Sequence, residues 1–165
     1  LTIGYTGTEM HTDVLGAVVS AGSTASGATI NQQLYAEFGS HLKTTRELLS
    51  SEKDNSRQNR GLPGGTTGAA SGWTWTSCQA VLMSEVEAYG SVVWSSSGYD
   101  TGTAKMRLPL FAFSTRALNN RTAYWWLKDI ACASSFCDVR GDGAASCAGA
   151  SGASIWVRPR FVLAA

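Results

Sequence analysis

Hydrophobic positions recur at helical spacing near the amino end of the chain and at alternating or continuous spacing further on. In residues 7–20, Met10, Val14, Leu15, Val18 and Val19 fall on one helical face, with Thr8 and Thr12 as candidate caps. A small-residue loop follows at 21–29. Ile30, Leu34 and Phe38 then predict a second helix over 30–38, and Gly39 ends it before a short element bearing Leu42, Leu48 and Leu49. Residues 51–72 are polar and glycine-rich with Pro63, the pattern of a mobile surface loop.

Beyond the loop the period changes. Trp73 and Trp75 alternate with Thr residues, and "VLMSEVEAYGS" reads as a strand or turn entering a buried element. Val92, Val93 and Trp94 lead into turn residues at Ser97, Gly98, Tyr99 and Asp100, followed by apolar Leu108, Leu110, Phe111 and Phe113. The strongest strand candidates are "AYWWLKDIA" and "IWVRPRFVLA", both aromatic and β-branched. Between them "SFCDVRGDGAASCAGA" fits short strands joined by a turn at 141–143. Helices early and short strands late give an α+β class, with residues 1–165 as a single domain.

Composition narrows the function classes. The net charge is +1 and 15% of residues are charged, which lacks the basic surplus of a phosphate reader, so no nucleic-acid partner is expected. No apolar run reaches the roughly 18 to 20 residues that span a bilayer, so no membrane partner is expected either. The first residues carry no secretory signal and no Met, which suggests the carboxyl-terminal part of a longer protein. Cys78, Cys132, Cys137 and Cys147 have no zinc-finger spacing and read as buried or half-buried thiols.

A catalytic constellation is not legible. His11 and His41 sit in no nucleophile pattern and read as surface or cap residues. Glu85 and Glu87 would share a face on a strand and diverge on a helix; burial of one against an arginine is favoured over catalysis. Arg140, Gly141 and Asp142 spell a receptor-recognition tripeptide, but the same residues make an ordinary solvated hairpin turn. Of the six tryptophans, Trp73, Trp75, Trp94, Trp125 and Trp126 are expected in the core, and Trp156 is expected to be exposed.

The string "WWLKD…FCDV…GDG…AS…WVRPRFVL" resembles the carboxyl end of variable proteins diversified by retroelements in phages and bacteria, where WWLR-D precedes a variable stretch and VRPxF follows it. "LMSEVEAYGSVVWSSSGYDTG" and "LPLF" extend the likeness, which covers about residues 30 to 165. It implies a C-type-lectin-like fold related to formylglycine-generating enzymes, with two helices and short, irregular antiparallel strands. It also implies a ligand-binding display domain whose variable segment, 131–156, recognises a protein or glycan on a target cell. The setting would be a virion or phage-particle surface, or alternatively a bacterial cell surface, with homo-oligomers a recurrent feature.

Residue by residue, the variable positions fall on Ala131, Ser135, Asp138, Arg140, Asp142, Ala144, Ser146, Ala148, Gly149, Gly152, Ser154 and Trp156. Trp125, Trp126, Leu127, Val157, Arg158, Pro159 and Phe161 match the scaffold, as do Phe136, Val139, Gly143, Ala145, Ala150 and Ser151. The spacing before "VRP" is one residue longer than usual. The expectation is a firm platform whose variable side chains all point into water. No cofactor is implied beyond calcium by analogy with C-type lectins, and no carboxylate cluster for it is legible. The rival readings are a virion or tail structural domain without its own ligand, and an oxidase using Cys132 and Cys137.

Overall fold

A computed structural model describes residues 3–23, 27–54, 70–95, 106–118 and 123–165. It is a mixed α+β structure with few helices and short antiparallel strands in small sheets. In chain order these are helix α1 (Ile30–Phe38), strands β1 (Leu42–Lys43), β2 (Thr45–Lys53), β3 (Ala70–Cys78) and β4 (Ala80–Leu82), and helices α2 (Glu85–Tyr89) and α3 (Pro109–Phe113). Strands β5 (Trp125–Cys132), β6 (Ser135–Val139), β7 (Ala145–Gly149) and β8 (Pro159–Leu163) complete it. β2 pairs with β3, β8 lies between β1 and β4, and β6 lies between β5 and β7. Among the described residues, no helix is long and apolar enough to cross a membrane.

Several expectations meet corrections. The helix expected over 7–20 is confined to a wide π-helical segment at Met10–Leu15, ended by Gly16 at φ +82°; beyond it Asn31, buried on α1, donates its side-chain amide to the carbonyls of Gly16 and Ala17 at 2.8 and 3.3 Å. α1 has the expected limits, closed by a Thr29–Gln32 capping box. The segment 51–72 is not all loop: 51–53 finish β2 and 70–72 begin β3, while 55–69 and the turn at 97–100 lie outside the described residues. Trp75 is 50% exposed, with the Arg46 guanidinium 5.4 Å from its ring centre.

Two apolar clusters cover the two faces of the β5–β6–β7 sheet. Trp126, Ile130 and Phe136 join one, with Tyr5, Leu15, Leu49 and Leu82; Trp125, Leu127, Ala131, Cys137 and Val139 join the other, with Phe111. Adjacent tryptophans on one strand necessarily face opposite sides, so Trp125 and Trp126 each seed a different cluster.

Charged groups tie these layers together. Arg160 on β8 meets Glu47 of β2 at 2.8 Å and Glu87 of α2 at 2.5 Å, both carboxylates buried. Burial alone would disfavour its charge, but the two carboxylates outweigh that and raise its pKa. Arg158, two residues earlier, lies over the rings of Trp125 and Phe111 at 5.0 and 5.4 Å and donates to the Ala117 carbonyl. Val157 and Pro159 are half-buried, whereas Phe161 is 38% exposed and packs on Phe38 of α1. It is a weaker anchor than the sequence suggests.

Glu85 and Glu87 lie on a helix and both are buried. Glu87 closes the helix's capping box with Ser84, while Glu85 accepts from the amides of Val93, Trp94 and Ser95 at 2.9 to 3.1 Å and from the Ser95 hydroxyl at 2.8 Å. One carboxylate thus fixes the chain after α2. Replacing Glu85 with Ala strands those amides, and the expected loss is about 2 to 4 kcal/mol in urea denaturation. A loss under about 0.5 kcal/mol would deny Glu85 this role.

Candidate functional site

The candidate site is built on the β6–β7 hairpin and the chain edges beside it. β6 and β7 pair without interruption from Ser135↔Gly149 to Val139↔Ala145, and the turn closes with the Arg140 amide on the Ala144 carbonyl (2.9 Å) and the Gly143 amide on the Arg140 carbonyl (2.8 Å). Gly143 has φ +89°, a left-handed conformation that disfavours a side chain. Asp142 accepts from the Ala144 amide at 3.0 Å, and the Tyr89 hydroxyl of α2 donates to the Gly143 carbonyl at 3.2 Å. The turn is therefore held both internally and from the body of the domain.

Exposed side chains collect around it. The Arg140 guanidinium lies 5.8 Å from the ring centre of Tyr124 and 3.9 Å from the Asp142 carboxylate. Tyr124 is 39% exposed. Its carbonyl accepts the amide of Trp156 at 2.8 Å, and Trp156 is 63% exposed, as expected. Tyr124 thus connects Arg140 and Asp142 on one side with Trp156 on the other. Tyr, Trp and Arg are the residue types that most often carry binding energy. Sequence reasoning passed over Tyr124 because it reads as one more strand aromatic; its exposure follows only from its place opposite the hairpin turn.

The twelve expected variable positions do not form one solvent face. Arg140, Asp142, Ala144, Gly149, Ser154 and Trp156 are exposed, and Ser135, Ser146, Ala148 and Gly152 are half-buried. Ala131 and Asp138 are fully buried. Ala131 belongs to the Trp125 cluster, where a larger side chain would overpack. Asp138 sits on the other face of β6, register partner of Trp126 and Ser146. Strand alternation divides the set: Ser135 and Gly149 share the face of Cys137 and Cys147, while Asp138, Ser146 and Ala148 share that of Phe136. Gly152 is also constrained, since a Cβ there would meet Trp126 and Ile155 at 3.3 and 3.1 Å.

Of the positions matched to the scaffold, Phe136 and Val139 are buried, and Gly143 and Ala145 are half-buried. Ala150 and Ser151 are exposed. The cysteines are free thiols, Cys78 and Cys137 buried, Cys132 and Cys147 half-buried. Among the described residues no group of three or more His, Cys, Asp or Glu side chains is arranged to hold a metal ion. Comparison of the chain with protein-family models, with curated proteins and with solved structures found no match.

Asp138 carries the clearest electrostatic consequence. Burial pushes its carboxyl up to about 6, against weaker opposing pulls from the Ser146 hydroxyl and the Arg140 guanidinium. Neither carboxylate oxygen has a well-aligned hydrogen bond. A folded-state pKa above the ordinary value near 3.9 means that the protonated form favours folding, and this contribution fades as pH rises through about 6. Asp138→Asn is therefore expected to be more stable than wild type at pH 7.5, by on the order of 2 kcal/mol, with the gap closing near pH 4. Urea denaturation at both pH values measures it, and a gap independent of pH contradicts the assignment.

Proposed function

We propose that the chain is a ligand-binding display domain of the retroelement-diversified variable type, with a C-type-lectin-like fold, and that it recognises a protein or glycan on the surface of a target cell. The observation that carries this is the cluster of Tyr124, Arg140, Asp142 and Trp156, exposed side chains of interface-forming types around a turn that the domain itself immobilises. Binding through a preset surface avoids the ordering cost of a floppy loop. The sequence likeness at "WWLKD" and "WVRPRF" supports the same reading. In it the recognition surface is narrower than the full variable segment, because Ala131 and Asp138 are interior. Display on a virion or cell surface would multiply weak single contacts by avidity.

Binding of the fluorescently labelled domain to a panel of bacterial cells and an array of cell-wall glycans tests this. Arg140→Ala and Trp156→Ala are each expected to weaken the captured interaction by about tenfold or more while the melting temperature stays within about 2 °C of wild type. Cells and glycans that capture nothing, or variants that bind as wild type does, overturn the proposal.

A further inference from the structure

A cleft of about 530 Å³ opens between the Met10–Leu15 turn and the chain that follows β7. That volume lies within the usual range of sites that enclose a ligand group. Buried Leu82, Trp126 and Phe136 form its floor, and Met10, Val14 and Ile155 form its sides. The rim comes from residues 150–153, which are Ala, Ser, Gly and Ala. Their small side chains leave the entrance open, and at Gly152 the backbone itself lies against Trp126. Among the described lining residues, the single charged one is Glu9, which is exposed. An apolar interior with one negative charge at the entrance complements an apolar group that carries a cation beside it.

We infer that this cleft receives an aromatic or branched aliphatic side chain of the target protein, flanked by a Lys or Arg that pairs with Glu9. The inference rests on the binding-module reading and adds a deep anchor to a surface otherwise made of shallow contacts. It also gives the small residues at 150–153 a positive role. Bulky side chains there would fill the space that a ligand needs.

The test uses the purified domain with two short peptides, acetyl-Gly-Phe-Lys-Gly-amide and its acetyl-Gly-Phe-Glu-Gly-amide counterpart, followed through the Met10 methyl and Trp126 indole resonances. The lysine peptide is expected to bind at least about threefold tighter than the glutamate peptide, and Glu9→Gln to erase that preference. Ala153→Trp, at an exposed rim position, is expected to fill the cleft and weaken the lysine peptide by about tenfold or more with an unchanged melting temperature. Equal binding of the two peptides, no shift at either resonance, or binding untouched by Ala153→Trp overturns the assignment. So does 4-phenylbutylamine binding as tightly as the peptide, which would make the cleft a site for small amphiphilic amines. The parent reading fails separately: if Arg140→Ala still weakens cell binding while Ala153→Trp does not, the cleft alone is refuted, and if the labelled wild-type domain binds no cell or glycan, the display function is.

Discussion

The meeting of Arg160 with Glu47 and Glu87 is the constraint on which the rest of the architecture depends. It joins β8 to β2 and to α2, three elements drawn from distant parts of the chain. Two buried carboxylates around one guanidinium are tolerable only as a set. Taking away the cation would remove the counter-charge that the two acids share, at a penalty of about 3 to 5 kcal/mol. Because β8 also pairs with β1 and β4, this one contact fixes where the chain returns after the small-residue segment. Arg158, on the same stretch, lies over the Trp125 ring at the other core. A strand with Arg160 on it and Arg158 just before it is a stapled closure, which lets the chain before it consist of Ala, Ser and Gly without loosening the domain.

That segment is less featureless than its composition. Asp138 and Ala131 belong to the interior, Gly152 packs its backbone on Trp126, and Arg140 with Asp142 shapes an immobilised turn. Tolerance to substitution is therefore uneven along it. Exposed positions such as Ala144, Ser154 and Trp156 can change without disturbing a core, whereas a bulky residue at 131 or 138 must displace buried neighbours. Recognition and stability share one hairpin, divided between its turn and its strands.

Much of this was legible in the sequence where local rules decide. α1 follows from the spacing of Ile30, Leu34 and Phe38, and β5 and β8 follow from their aromatic and β-branched content. The capping boxes at Thr29–Gln32 and Ser84–Glu87 were also readable, and the second would have marked α2 as a helix rather than a strand or turn. What escaped depended on partners far along the chain. The helix expected after Gly7 stops at Gly16, beyond which Asn31 binds the chain, and Trp75 is exposed although Trp73, on the same face of β3, packs against the core. The site was half legible: Arg140, Asp142 and Trp156 stood out as residue types, but Tyr124 and the interior placement of Asp138 required knowing which strand lies against which.

The claim that the Arg160 junction sets the platform is tested most directly by native-state hydrogen exchange on the wild-type chain and on Arg160→Met. If the junction binds the layers together, amides of β2, α2 and β8 lose protection in concert in the variant, and the Trp126 amide, which donates to the Trp156 carbonyl, loosens with them. Loss confined to β8, with β2 and α2 exchanging as in wild type, would contradict the account.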